Sequence, residues 1–404
     1  METTNAWKHI VDRAKERSLT TKKPEPFFAL APMADVTDPA FRRIIATYGK
    51  PDVMWTEFVS ADGLMLGGRE ALMRDLAYTE DERPIIAQLF GSNPETMRDA
   101  AKLCTKLGFD GIDINMGCPD RSIEKQGAGA AIIKTPDIAV AVIRAAKEGI
   151  TLAVEEAATN GTNKSRPVRE IPLSVKTRIG YSTNEIATWI PILLKENIAA
   201  LTVHCRTRKE MSKVPARWEH IREVVALRDK LAPHTLVIGN GDVRDVAHGR
   251  ELAAQYGADG VMIGRSIFGN PWLFAPLSQQ NENLKDSSGA HRNFLSRALL
   301  YLSTTVRDFI ARFLQNYFGV KNRYWLRNRH GDTISQEEKL RVLIEHCKLY
   351  EELLGDIKSF AIMKKHFKAY VHGWSGAKEL RMALMEAQSA EDVERIIDLH
   401  SSKA

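Results

Sequence analysis

The chain has 404 residues, 44% of them hydrophobic and 27% charged, with a formal net charge of +6. That length exceeds one ordinary core and the mixture is globular, so a disordered or fibrous chain is excluded and two domains are expected. No stretch approaches the ~18 uninterrupted apolar residues of a membrane span, and the N-terminus, crowded with Lys8, Asp12, Arg13, Lys15, Glu16 and Arg17, lacks the apolar centre of a secretory signal, so a cytoplasmic protein without a membrane partner is expected.

Residues 1–25 read as an N-terminal extension. Beyond them, short β-branched apolar runs alternate with longer helical patterns. Strands are predicted at 27–33, 53–59, 84–91, 111–117, 173–179, 200–206, 235–240 and 260–264. Helix starts fall between them: Asp38-Pro39 opens 40–48, Asn93-Pro94 opens 95–107, and Asn184 precedes 185–195. Eight such units in about 250 residues predict an α/β fold, a (β/α)8 TIM barrel over 26–277, with a doubly wound open sheet as the structural alternative. The stretch 155–170, rich in Asn, Thr, Gly, Lys and Arg, reads as a flexible surface loop on the face opposite the barrel mouth. A polar linker is predicted at 278–290, followed by a small helical bundle over 291–404 with helices at 292–314, 337–354, 357–370 and 390–399. From His291 to the end there are 19 Lys and Arg against 14 Asp and Glu, whereas the preceding residues hold 38 against 37, so the tail is the part expected to meet a polyanion.

The four cysteines, Cys104, Cys118, Cys205 and Cys347, are widely separated and form no Cys-x-x-Cys pair, which argues against a disulfide framework and a zinc site; no metal is expected. Cys118 ends the run from Asp113 to Pro119 at the close of the fourth strand, and reacting groups in such barrels project from those ends. The other three read as packing residues. The loops after strands seven and eight hold Gly239-Asn240-Gly241-Asp242 and Gly264-Arg265, where glycine backbone and an arginine suit a phosphate. Gly127-Ala128-Gly129 continues into Ala130, Ala131 and Ile132 without the third small residue of a dinucleotide fingerprint, so a mononucleotide flavin across the mouth fits better than a resident nicotinamide domain. Gln88, Lys176, Arg178, His204, Arg206 and Arg208 also cluster at strand ends. Lys176 and His204 interrupt strands that should be buried, where unpaired polarity costs several kcal/mol, so a ligand or partner is expected to compensate them.

Taken in order, several motifs resemble those of the dihydrouridine synthases, flavin enzymes that reduce uridines in transfer RNA. They are Ala31-Pro32-Met33-Ala34 with Val36-Thr37-Asp38, Asn115-Met116-Gly117-Cys118-Pro119, Val175-Lys176-Thr177-Arg178-Ile179-Gly180, His204 with Arg206-Thr207-Arg208, Gly239-Asn240-Gly241-Asp242, and Gly264-Arg265. The resemblance spans about Phe28 to Phe274, with a weaker echo in the tail. It implies that Pro32, Met33, Ala34, Gln88, Lys176, His204, Asn240, Gly241, Asp242, Gly264 and Arg265 hold FMN, that Cys118 donates a proton, and that Asn115 helps place the target base. NADPH is the implied reductant, binding over the flavin in alternation with RNA, and the reaction is reduction of the uracil 5,6 double bond in tRNA.

On this reading Arg178, Arg206 and Arg208 face the substrate. After Arg208 many relatives have a glutamine, tyrosine and glycine pattern; this chain instead runs from Lys209 to Trp218, making Lys209, Lys213 and Arg217 candidate RNA contacts. Further candidates are Lys364 and Lys365, in a basic stretch resembling one in bacterial members, and Arg312, Lys321, Arg323, Arg327 and Arg329, interleaved with Phe313, Tyr317, Phe318, Tyr324 and Trp325. A monomer is expected. The rival functions are an FMN barrel oxidoreductase for a free small molecule and a non-catalytic RNA-binding protein.

Overall fold

The computed structural model describes residues 6–21, 25–160, 167–275 and 334–402. In chain order the elements are α1 (Ala6–Thr21), β1 (Phe27–Leu30), α2 (Pro39–Tyr48), β2 (Met54–Ser60), α3 (Ala61–Met65), α4 (Arg69–Asp75), β3 (Ile85–Phe90), α5 (Pro94–Leu107), β4 (Gly111–Met116), α6 (Arg121–Glu124), α7 (Pro136–Asn160), β5 (Leu173–Arg178), α8 (Ile186–Lys195) and β6 (Ala200–His204). There follow α9 (His220–Leu231), β7 (Leu236–Asn240), α10 (Val246–Tyr256) and β8 (Gly260–Ile263), then α11 (Gln336–Leu354), α12 (Lys364–Tyr370), α13 (Ala377–Leu384) and α14 (Ala390–Ser401).

All eight strands pair in parallel, in the order β1-β8-β7-β6-β5-β4-β3-β2. An Ala29–Val53 bridge joins β1 to β2, with the Leu30 amide donating to the Val53 carbonyl at 3.1 Å, and closes the sheet on itself. The TIM barrel expected from the alternating pattern is therefore the fold, and the open sheet is not. Strands buried on both faces need continuous apolar runs, and β1, β3, β4 and β8 are buried along their whole length. Several predicted strands overran at the carboxyl end: residues 31–33 and 205–206 belong to the mouth loops.

Two apolar layers result. The larger lies between the sheet and its surrounding helices and continues into α11–α14. The smaller fills the barrel's interior with Phe27, Ala29, Val53, Trp55, Ile86, Ala200, Ile238 and Met262. Toward the mouth the interior becomes polar, because pairing sets Gln88 beside Asp113, Asp113 beside Ser174, Asn115 beside Lys176, and His204 beside Asn240.

Three stretches differ from the sequence expectation. Residues 6–21, read as part of a bare extension, form α1, which plugs the bottom of the barrel with Trp7, Ile10 and Ala14. The Trp7 ring lies 5.8 Å from Phe27 and 5.9 Å from Trp55. Residues 155–160, read as loop, continue α7, where Glu156 pairs with Lys102 and Lys106 of α5. Helix α13 had no counterpart in the prediction.

The predicted linker 278–290, the helix 292–314, and the cations and aromatics between Arg312 and Arg329 lie outside the described residues. The described tail helices pack on α2: His346 stacks on Phe41 at 4.9 Å, and Tyr48 donates to Glu345 at 2.6 Å. Lys358 reaches Asp75 at 2.7 Å and Glu57 of β2 at 3.3 Å. No helix among the described residues is long and apolar enough to cross a membrane.

Candidate active site

The mouth is built by the loops that follow β1, β4, β5, β6, β7 and β8. Cys118 leaves β4 in a turn held from both sides. Asn115 Oδ1 accepts from the Gly117 amide at 3.1 Å and the Cys118 amide at 2.9 Å, while the Cys118 carbonyl accepts from Ala130 at 2.9 Å. Gly129 is required here: its φ is +60°, and a Cβ would stand 2.8 Å from the Cys118 carbonyl oxygen. Gly129 therefore shapes the cysteine turn, while Gly127 lies against Ser92. Burial raises the half-buried Cys118 thiol above its ordinary range, so it is protonated at neutral pH. Cys104, Cys205 and Cys347 are fully buried, as packing residues should be.

On the neighbouring β5, Lys176 Nζ donates to Asn240 Oδ1 at 3.3 Å, and Asn240 Nδ2 donates to the Met262 carbonyl at 2.9 Å. Desolvation and the nearby Arg178 push Lys176 down to about 8. Burial, then Arg178 and Lys176, depress His204 well below its usual value, so its ring is neutral. Arg206 Nη1 lies 3.1 Å from His204 Nε2; arginine can only donate, so Nδ1 carries the ring proton. Burial and the neighbouring Arg206 and Arg208 bring even Arg178 down to about 10. Lys176, Arg178, Arg206 and Arg265 thus stand around His204, and burial with neighbouring cations disfavours the charge on Lys176 and Arg178. The carboxylate bonded to two of them is Asp242, which accepts from Arg206 and, at 2.7 Å, from Arg265. Such a set suits an anion.

The β7 loop that carries Asp242 needs its glycine. Gly241 has φ +123°, and a Cβ there would lie 2.8 Å from Ala216 and 3.1 Å from His204. Met33, in the half-exposed end of the Pro32-Met33-Ala34 loop after β1, meets Gly264 of the β8 loop: its sulfur would be 3.5 Å from a Cβ at that glycine. The structure thus gathers Pro32, Met33, Ala34, Lys176, His204, Asn240, Gly241, Asp242, Gly264 and Arg265 on the loops and strand ends of one face.

Four arginines read as substrate contacts turn inward to the scaffold. Arg178 Nε donates to the Gly117 carbonyl at 2.6 Å and its Nη1 to Thr207 at 3.2 Å and Met211 at 3.3 Å. Arg206 Nε donates to Val214 at 2.6 Å. Arg208 pairs with Glu124 and lies over the Tyr181 ring. Arg217 grips Glu210 with both amino groups, at 2.6 and 2.9 Å. Lys209 and Lys213, on the same loop, are exposed, as is Lys365, which sits 3.9 Å from Asp35 of the β1 loop; Lys364, beside it on α12, is half-buried. The basic stretch of α12 therefore lies at the rim of the same face.

Gln88 and Asn115 are deeply buried, and below them lies a residue that pattern reading left unassigned. Asp113 is fully buried, accepts from Gln88 and Ser174, and burial raises it to about 6. A charged residue in the middle of the apolar fourth strand was the available signal.

Residues 29–403 match the family model described as Dihydrouridine synthase. A Staphylococcus aureus (strain COL) protein described as "Probable tRNA-dihydrouridine synthase" is 36% identical over 378 residues, covering 93% of this chain and 93% of that relative. A Bacillus subtilis (strain 168) protein described as "Probable tRNA-dihydrouridine synthase 2" is 35% identical over 378 residues, covering 93% of this chain and 94% of that relative.

Proposed function

We propose, because the chain belongs to the dihydrouridine synthase family, that it is a tRNA-dihydrouridine synthase that uses FMN and NADPH to reduce the 5,6 double bond of uridines in tRNA. The observation that carries this reading is a half-buried, protonated cysteine in the turn after β4, close to Lys176 and Arg178 at the barrel mouth.

The residues present fit a flavin mononucleotide. The charges of Lys176 and Arg178 are disfavoured by burial and by neighbouring cations and would be relieved by an anionic group, and the β7 and β8 loops have glycines that leave room for close backbone approach. The backbone of Gly241, Asp242 and Gly264, with the Arg265 guanidinium, would hold its phosphate end, and Pro32, Met33, Ala34, Lys176, His204 and Asn240 its ring, with Gln88 completely buried beneath them. When bound, the flavin supplies hydride to carbon 6 of uracil.

Charge developing on the uracil then spreads over carbon 5 and the carbonyl oxygen at carbon 4. Cys118 holds a proton that carbon 5 can take, since burial keeps the thiol neutral near pH 7. Lys176, with a value near 8, stays mostly cationic and stabilises negative charge at the mouth. Arg178 and Arg208 secure the loops on either side of the thiol, which limits its wandering. Lys209, Lys213 and Lys365, which are exposed, and the half-buried Lys364 would contact the RNA backbone and offset the few kcal/mol that extracting a uridine costs.

The test is nucleoside mass spectrometry of unmodified tRNA incubated with NADPH and the protein, beside Cys118→Ala. Dihydrouridine formed by the parent and lost in the variant is expected. Failure of the parent to form it on a full set of tRNAs would refute the reading.

A further inference from the structure

The turn that presents Cys118 is connected to the barrel interior by a chain of hydrogen bonds in which each partner dictates the orientation of the next. Asp113 Oδ1 accepts from Ser174 Oγ at 2.6 Å, and its Oδ2 accepts from Gln88 Nε2 at 2.6 Å. Gln88 Oε1 accepts from Asn115 Nδ2 at 3.1 Å. Asn115 Oδ1 then accepts from the Gly117 and Cys118 amides, at 3.1 and 2.9 Å.

A carboxamide has a donor end and an acceptor end, and a carboxylate only accepts. An ionised Asp113 therefore requires the Gln88 amino group to face it. That leaves Gln88 Oε1 toward Asn115, which must answer with Nδ2 and turn Oδ1 to the cysteine turn. Reading from the other end gives the same answer, since two backbone N–H groups require an oxygen from Asn115. Gln88 and Asp113 are completely buried and Asn115 nearly so, so water cannot repair a reversed amide.

We infer that Asp113 is a positioning residue for Cys118: through Gln88 it fixes the Asn115 carboxamide so that its oxygen holds the turn that carries the thiol. Its importance to uridine reduction rests on the reading of Cys118 as the proton donor; the orientation itself does not.

The chain makes a prediction that general packing does not. Asn115→Asp keeps an acceptor at the cysteine turn but places carboxylates at both ends of Gln88, whose single amino group can face only one. Adding Asp113→Asn removes the conflict: Gln88 reverses, receives a donor from the new amide, and gives its amino group to the carboxylate at position 115. Two residues whose side chains communicate through a third should thus rescue one another.

Alkylation by iodoacetamide, located by peptide mass spectrometry, reports the turn without needing RNA or cofactor, because the other three cysteines are fully buried. With one buried hydrogen bond lost, Asn115→Asp should alkylate at Cys118 about 5- to 10-fold faster than the parent, and Asp113→Asn/Asn115→Asp should return to within about 2-fold. Asp113→Leu should accelerate alkylation similarly. Asp113→Asn alone should not, because its oxygen can still face Gln88 while its amino group turns to Ser174 Oγ, whose hydrogen has the Ile112 carbonyl within 3.3 Å. If Asn115→Asp is too unstable to purify, recovery of folded protein by the second substitution is the same rescue. Equal alkylation of Asn115→Asp and the double variant, or equal acceleration by Asp113→Asn and Asp113→Leu, overturns the inference. Rescue of the turn in a protein that forms no dihydrouridine would leave it standing and count against the proposed activity instead.

Discussion

Replacing His366 by leucine tests how the tail helices are joined to the barrel. His366 is fully buried between Phe41, at 5.0 Å, and Phe268, at 5.7 Å, with His346 4.7 Å away, and neither ring nitrogen has a hydrogen-bond partner. Burial, with Lys365 adding to it, lowers its pKa from 6.5 to about 3. A depressed folded value means that the unfolded chain takes the proton more readily. The stability from neutral His366 is therefore fully present above about pH 6.5 and is lost as pH falls toward 3. Between about pH 7.5 and pH 5 that loss is about 2 kcal/mol. Glu57, raised to about 7, and Asp38 and Asp113, each raised to about 6 by burial, act in the opposite direction, favouring the fold as pH falls. His204 and His346, also depressed by burial, act with His366, so the parent's profile sums opposing contributions and the informative quantity is the difference between parent and variant. His366→Leu removes an unpartnered buried polar group, worth about 1–3 kcal/mol, and loses ring contacts worth about 0.5–1.5 kcal/mol, so at pH 7.5 it should be neutral to mildly stabilising. In urea denaturation followed by circular dichroism, its advantage should grow by about 2 kcal/mol at pH 5. An advantage that does not change with pH would refute the neutral, unpartnered histidine.

Trp7→Ala should cost about 3–5 kcal/mol in the same assay, because the ring seals the barrel bottom; a loss under about 1 kcal/mol would show that α1 is dispensable to the fold. Gly129→Ala puts a side chain at φ +60° and against the Cys118 carbonyl, so it should cost about 1–3 kcal/mol in denaturation and slow dihydrouridine formation more than substrate binding. Reversing Lys209 and Lys213 together to Glu should weaken tRNA binding in a filter titration and reduce the salt slope by roughly 0.7–0.9 per lost phosphate contact; an unchanged slope would place the RNA elsewhere.

The barrel was legible because burial on both faces of each strand leaves a direct mark: runs such as Ile85–Ala87 and Val261–Ile263 can hardly be anything else between helix starts like Asn93-Pro94. The positions of the cysteine turn and the glycine loops were legible for a related reason, since they follow directly from where β4, β7 and β8 end. Helix α1 was missed because Lys8, Asp12 and Lys15 dominate its composition, although Trp7, Ile10 and Ala14 repeat at helical spacing on the face that enters the barrel. The loop assigned to 155–170 began too early: Glu155, Glu156, Ala157 and Ala158 are good helix formers, and Glu156 has two lysine partners on α5 that only the folded barrel supplies.

The arginines mark a different limit, because charge alone does not say which way a side chain turns. Arg178, Arg206, Arg208 and Arg217 were grouped with the substrate for their position at strand ends, yet each is anchored to backbone carbonyls or a carboxylate within the loops. The planar guanidinium suits that work: its fixed fork can tie two or three acceptors at once, and it stays charged where burial would neutralise an ammonium. Lysine lacks the fork, and its compact, strongly hydrated charge is suited to a phosphate met at a solvated surface. Lys209, Lys213 and Lys365 are exposed. Lys176 is the exception: a lysine placed inside, with Asn240 as its hydrogen-bond partner, is lowered to about 8, and an ammonium so weakly held is the group most responsive to an anion arriving at the mouth.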